Sequence, residues 1–230
     1  MLVWSSHVDR LAWFSCMRPT QDSTQVLGPV ASPSVNRNLL SIHHMPPPTI
    51  FPVPAHPDII IALDLMSTSP PRFHWFIFVP HHRASAAGSQ DQHTVSGTKL
   101  HAVTNGLQGD DRRWSYDRTT LSLATSPSVA AAAIIGRVPR DKTVDDLDQL
   151  LQQIPMATPD VDRDREPVWT CRVWIREAVR RMDAHGWIDC DNVDALEEEM
   201  WGYGKKAAAM IEDDVFTVAT LHTAVSSRGV

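Results

Sequence analysis

The stretch that decides the fold reads FHWFIFV at residues 73–79, and it ends at Pro80. Aromatic and β-branched residues dominate it, so the pattern predicts a buried β-strand. Working outward, three further segments predict strands. They are TKLHAVT at 98–104, which the turn signal Asn105-Gly106 closes, the stretch at 114–125, and the apolar stretch at 130–138.

Helices are predicted after these strands. Apolar residues recur at helical spacing over 143–154 and again over 171–185, and a third helix is predicted to begin near residues 191–192. Gly202 and the neighbouring Gly204 are expected to end it, with a separate helical turn following. The order of elements predicts an α+β fold, in which a small, mostly antiparallel sheet packs against the helix that bears Cys171 and against further helices.

Proline divides the chain unevenly, because eleven of its 17 prolines and none of its lysines lie in the first 71 residues. This composition predicts a disordered Pro/Ser-rich leader over 1–71, with at most transient structure around 58–66. The folded domain is expected over 72–215, followed by a C-terminal tail over 216–230. A chain that begins near Met66 is therefore expected to fold and to keep its activity.

Charge and composition exclude several classes of protein. A net charge of −6 argues against a protein that coats nucleic acid. No apolar run approaches the roughly 20 residues of a membrane span, so no integral membrane association is expected. Three cysteines form neither a disulfide framework nor a metal clip, which favours a cytoplasmic setting. No phosphate-binding glycine loop or dinucleotide fingerprint is present, so no cofactor is predicted.

Cys171 opens the second predicted helix and lies on its apolar stripe. Unpaired N–H groups and the helix dipole at that position lower the pKa of a thiol and favour an oxyanion. His74 and His101, on neighbouring predicted strands, are candidate bases for such a thiol. The alternative is a small apolar cysteine packed in a core, with two histidines satisfied by the backbone; spacing alone favours this alternative.

A family resemblance adds to this pattern. HWFIFV at 74–79, KLHA at 99–102 and WTC at 169–171 resemble the permuted papain-like fold of lecithin retinol acyltransferase-like and NlpC-type proteins. The resemblance covers about residues 72–187, in the family's order of His, His and Cys. The chain also resembles a group of fungal proteins of undefined role.

The resemblance implies Cys171 as nucleophile, His74 as base and His101 as the group that orients the base. The implied function is a thiol-dependent acyl hydrolase or acyltransferase that acts through a thioester on an amide, ester or thioester. Two alternatives stay open. One is a non-catalytic binding or scaffold module, and the other is a cyclase or isomerase of a small-molecule (secondary-metabolite) pathway, with the two histidines as acid and base.

Other side chains have weaker functional interpretations. Trp114 and Trp169, with Thr170, are candidate walls of a substrate cleft because they lie near predicted strand and helix ends. Histidines in the loop after the first strand suggest a metal site, but solvated loop residues are favoured there. Cys190 is interpreted as structural. The arginines of the second helix are expected to pair with acidic residues rather than to bind a ligand; they are Arg172, Arg176, Arg180 and Arg181.

Overall fold

The structure, a computed structural model, describes residues 49–82, 96–107 and 112–230. Most of the predicted leader, the loop that contains His93, and residues 108–111 lie outside the described residues. The sheet and helices belong to one compact unit formed by residues 45–103 and 114–230. The described part of a second unit, within 104–113, is a turn in which the Asn105 N–H donates to the Arg113 carbonyl oxygen at 3.0 Å.

A single sheet holds the described strands. They are β1 Ile50–Phe51, β2 Asp58–Thr68, β3 Pro71–Pro80, β4 Ser96–Thr104, β5 Trp114–Ser122, β6 Val129–Arg137 and β7 Ala219–Thr223. Their order across the sheet is β1-β7-β6-β2-β3-β4-β5. Strand β2 is antiparallel to both β6 and β3, and β3 is antiparallel to β4, whereas β7 runs parallel to both β1 and β6. The predicted α+β class is confirmed.

The helices are α1 Val144–Leu151, α2 Cys171–Ala184 and α3 Val193–Glu212. Side-chain caps fix where they begin, because the first N–H groups of a helix lack intrahelical partners. The side chains of Thr143, Thr170 and Asn192 accept from the third residue of each helix, at 3.2, 3.3 and 3.0 Å.

The two faces of the sheet carry different cores. On one side, which we call the helix face, Leu63, Trp75 and Ile77 pack with α2 and α3. On the other side, the far face, Phe76 and Phe78 pack with residues near β1, β7 and the end of β5. This division follows from the alternation of side chains along each strand.

The far face is enclosed because the two edges of the sheet meet. The Thr49 N–H donates to the carbonyl oxygen of Ala124 at 2.6 Å, and the Thr49 hydroxyl donates to that of Ser126 at 2.9 Å. Thr49 precedes β1 and Ala124 follows β5, so these bonds join opposite ends of the strand order. The sheet therefore curls around the far-face core.

The predicted boundary at residue 71 is wrong. Strand β2 lies within the segment assigned to the leader, and it pairs with both β3 and β6 in the middle of the sheet. Residues 59–63 are at most 1% exposed. A strand buried on both faces is a continuous apolar run rather than an alternating one, and the prolines that suggested disorder lie outside that run.

The predicted C-terminal tail is also wrong, because β7 inserts between β1 and β6. Ala219 and Leu221 are buried, and Asp189 and Arg228 form an antiparallel bridge beyond the strand. Helix α3 continues through both of its glycines instead of ending there. A Cβ atom at Gly204 would lie 2.9 Å from side-chain atoms of β2 and β3, so close packing explains that glycine.

Candidate active site

Cys171 is the first residue of α2 and is buried in the helix-face core, with 9% of its surface exposed. Burial is the largest influence on its thiol and raises the pKa above the ordinary value. The backbone amides of Trp75 and Arg172 act in the opposite direction but do not outweigh burial. The amides at the start of the helix thus act to lower the pKa of Cys171, as expected, but the effect of burial is larger and favours the protonated thiol.

His74 lies on the opposite side of the sheet from Cys171. Its neighbour Trp75 belongs to the helix-face core, so alternation places the imidazole on the far face, where it stacks beside Phe76 at 6.3 Å between ring centroids. His101 follows the same rule, because its neighbours on β4 point to the helix face. No hydrogen bond joins the thiol to either imidazole within the described residues. The expected Cys171–His74–His101 set is therefore not assembled.

The two histidines do meet, and Asp117 extends the contact. His74 Nε2 lies 2.7 Å from His101 Nδ1, and His101 Nε2 lies 3.3 Å from Asp117 Oδ2. A carboxylate only accepts hydrogen bonds, so His101 donates to it from Nε2 and accepts at Nδ1. His74 must then donate from Nε2. Its Nδ1 keeps a free lone pair, for which the described residues provide no donor.

A second polar pair lies on the same face. Lys99 Nζ is 3.1 Å from Asp64 Oδ2, and the Ser128 hydroxyl donates to Asp64 Oδ1 at 2.9 Å. The side chains of Lys99 and Asp64 are only 13% and 17% exposed. The ammonium also lies 4.1 Å from the centroid of the Phe76 ring. These polar groups and the histidines form what we call the far-face cluster: Asp64, His74, Lys99, His101, Asp117 and Ser128.

Burial sets the protonation of both imidazoles. It is the largest influence lowering the pKa of His74, and the nearby Lys99 lowers it further. Burial also lowers the pKa of His101, followed by the influence of His74 and of Lys99. Both imidazoles are therefore neutral near pH 7, which is the state that a general base requires.

This burial predicts a pH-dependent stability. Because the folded-state pKa values lie below the ordinary 6.5, the unfolded chain binds protons first as the pH falls below 6.5. The contribution of the two histidines to the free energy of unfolding is thus fully present above pH 6.5. It decreases on acidification by up to about 1.4 kcal/mol per pH unit for each imidazole. Urea unfolding of the parent and of His101→Gln, between about pH 7 and about pH 5, measures it.

The variant is expected to show a flatter pH profile than the parent over this window. His185→Gln is the matched control, because His185 is exposed at the end of α2. Identical slopes for the parent and His101→Gln would contradict the burial of a neutral imidazole.

The segment at residues 61–189 matches the family of unknown function DUF6540 and spans more than half of the chain. The chain belongs to this family. The DUF6540 segment begins within β2 and ends after α2, so it contains every residue of the far-face cluster as well as Cys171. No curated protein and no solved structure matches the chain. Within the described residues of this DUF6540 member, no helix is both long and apolar enough to cross a membrane.

The predicted cleft residues lie away from the histidines. Trp169 and Thr170 are buried beside the start of α2, and Thr170 serves as its cap. Trp114 packs against the helix-face core. The sheet separates all three from the imidazoles of His74 and His101, and their interpretation as walls of a substrate cleft stays a prediction.

Four members of the cluster were missed from the sequence: Asp64, Lys99, Asp117 and Ser128. Lys99 and His101 are two residues apart on one strand, a spacing that places both side chains on one face. The same alternation of side chains, applied along β5, would have identified Asp117. Asp64 escaped notice because its strand was assigned to the leader.

The loop histidines do not form a metal site within the described residues, where no group of three or more His, Cys, Asp or Glu side chains is arranged to hold an ion. His81 Nε2 contacts the Thr98 hydroxyl at 3.0 Å, and the His82 ring lies against His56 at 3.5 Å. His93 falls outside the described residues.

Proposed function

We propose that the far-face cluster is a proton-transfer site, and that the chain is an acid–base enzyme of the isomerase or cyclase class acting on a small carbonyl compound. The observation that carries this proposal is the series Asp117–His101–His74. It leaves His74 Nδ1 as a free, neutral base in a partly exposed side chain.

The proposed reaction begins when His74 Nδ1 accepts a proton from the carbon next to the carbonyl group. The electrons of the C–H bond move to the carbonyl oxygen and form an enolate. The positive charge on His74 is shared through its Nε2–H bond to His101, whose own N–H faces the Asp117 carboxylate. In a β,γ-unsaturated substrate, return of the proton from His74 to the γ-carbon of the dienolate gives the conjugated isomer. In a substrate with a second carbonyl group, the enolate carbon attacks that carbonyl carbon and closes the ring, and the oxygen of the broken C=O π bond takes the proton from His74.

Lys99 is placed to stabilise the enolate oxygen. It is two residues from His101 on the same face, and Asp64 holds its ammonium. A fixed cation in a partly buried site stabilises developing negative charge more strongly than it would in water. Asp64 is then a positioning residue, since its carboxylate contacts the cation and not the substrate. Ser128 acts one step further out, because its hydroxyl donates to Asp64.

Thiol-dependent acyl transfer, with the papain-like resemblance behind it, stays a second proposal. The backbone amides of Trp75, Arg172 and Cys171 itself act to lower the pKa of the Cys171 thiol, which favours a thiolate once water reaches it. This route requires Cys171 to become exposed and to find a base on its own side of the sheet. Labelling with a thiol-reactive acylating probe tests it, because only the covalent route expects strong labelling that Cys171→Ala abolishes.

A cytosolic setting and a small-molecule substrate are part of the main proposal. Cys171 and Cys190 are free thiols, as a reducing compartment favours. The net charge of −6 does not suit a nucleic-acid partner.

The proposed function predicts hydrogen–deuterium exchange at carbon. The full chain is incubated in D2O with a panel of small ketones and keto acids, and proton NMR follows the signal next to the carbonyl group. The His74→Asn variant is expected to exchange at least about 100-fold more slowly than the parent, since a general base contributes that much. His185→Asn serves as the control. Absence of catalysed exchange across the panel, or equal rates for His74→Asn and the parent, would contradict the proposal.

A further inference from the structure

We infer that Arg72 binds an anionic oxygen group of the substrate, a carboxylate or a phosphate ester. This inference rests on the proposed function, because it names the substrate class for the same face of the sheet.

Arg72 lies beside the base. It is two residues before His74 on β3, so alternation places both side chains on the far face. Across the sheet, Arg72 pairs with Ser67 and His74 pairs with Asp64. Strand β2 thus has one more residue than β3 between these pairs, which marks a β-bulge, a feature over-represented next to active sites.

Arg72 has no counterion in the part of the chain that the structure describes. Within the described residues it forms no salt bridge, and its Nε atom is buried without a hydrogen-bond partner. The carboxylates of the cluster are already engaged, Asp64 by Lys99 and Asp117 by His101. A guanidinium partly removed from water and left unpaired is costly, and its planar donors match the two oxygens of an oxyanion. A bound anion would satisfy this group.

The spacing suits the proposed chemistry. Two residues of strand span about 6.6 Å, so an anion on Arg72 would place a carbon a few bonds away within reach of His74 Nδ1. Arg72 would then lie near the anionic group of the substrate, and Lys99 would lie near the enolate oxygen. The substrate class that follows is a small keto acid or a phosphorylated carbonyl compound.

Equilibrium binding tests the inference without relying on turnover. NMR titrations of the full chain use sodium acetate, inorganic phosphate and, as a neutral probe, N-methylacetamide. We expect saturable binding of at least one anion, a loss of about tenfold or more in affinity in Arg72→Met, and partial retention in Arg72→Lys. Arg140→Met, which removes an exposed guanidinium of the same charge, is expected to bind like the parent.

Each outcome of the titrations supports or overturns anion binding by Arg72. The acetate and phosphate arms distinguish a carboxylate from a phosphate ester as the preferred group. No saturable binding of either anion, or equal affinity in the parent and Arg72→Met, would overturn the inference. Unchanged circular dichroism of each variant shows that a loss of binding is not a loss of fold.

Exchange kinetics separate this inference from the proposed function. Arg72→Met is expected to raise KM for a keto acid at least about tenfold while leaving KM for its methyl ester unchanged; His74→Asn should lower kcat for both. Equal effects of Arg72→Met on acid and ester would overturn the anion assignment while the function stands. Absence of exchange alongside Arg72-dependent anion binding would sink the proposed function and leave the anion site supported.

Discussion

A chain that begins at Met66 is expected to be unfolded. The deletion removes most of β2, which pairs with β3 on one side and β6 on the other. Four large apolar side chains at residues 59–63 are almost fully buried there. At about 1.5–3 kcal/mol for each, their loss approaches the entire stability of a typical domain.

A chain that begins at Met45 is the matched control, because it keeps β1 and β2 and loses only residues before the sheet. Circular dichroism and urea titration of the two chains make the comparison. Cooperative unfolding of the Met66 chain, with a midpoint near that of the Met45 chain, would contradict the central place of β2.

Replacing Asp162 with asparagine is expected to reduce the free energy of unfolding by about 3 kcal/mol, since breaking one side of a buried ion pair leaves a charge uncompensated. Asp162 is fully buried. Its carboxylate accepts from Arg176 at 2.7 Å and from Arg180 at 2.7 Å. Burial acts to raise the pKa of Asp162, but the hydrogen bonds from Arg180 and Arg176 outweigh it and hold the pKa below its ordinary value.

The network around Asp162 ties three segments together. Arg176, which is 3% exposed, also contacts Asp194 and Glu197 on α3, and so it links the loop before α2 to both helices. The interpretation of the helical arginines as internal ion-pair partners is therefore confirmed. The acidic partners are Glu197 and Asp194 on α3 and Asp162 in the loop before α2.

Asp160→Asn is the control for this prediction. Asp160 is 88% exposed and pairs with the exposed Arg163, so its loss is expected to change stability by less than about 1 kcal/mol. Urea unfolding at pH 7 compares both variants with the parent. Equal effects of Asp162→Asn and Asp160→Asn would show that the network does not stabilise the fold.

Periodicity predicted much of the fold, because local patterns report which face of an element is buried. Strand β3 and helix α2 lie where their patterns indicated, and α1 falls within the predicted stretch at 143–154. The misplaced boundary at residue 71 has an identifiable cause. Proline density between residues 46 and 71 outweighed the run IIIALDL at 59–65, although that run is free of proline. Tertiary pairing with β3 and β6 is what makes it a strand, and composition does not report such pairing.

The site was predicted in part. His74 and His101 are in contact, as expected for side chains on neighbouring strands. The predicted link to Cys171 failed because a shift of one residue along a strand moves a side chain to the opposite face of the sheet. Trp75 faces α2, so His74 faces away from it. Alternation reveals that adjacent side chains point in opposite directions, but the face that α2 covers is set by packing of the whole core.

We propose that the chemistry resides in the far-face cluster and not at Cys171. Carbon-bound hydrogen–deuterium exchange, measured in parallel for the parent, His74→Asn and Cys171→Ala, tests it most directly. We predict that Cys171→Ala exchanges at the parent rate and that His74→Asn is slower by at least about 100-fold. Loss of exchange in Cys171→Ala, with the parent rate retained in His74→Asn, would contradict the claim.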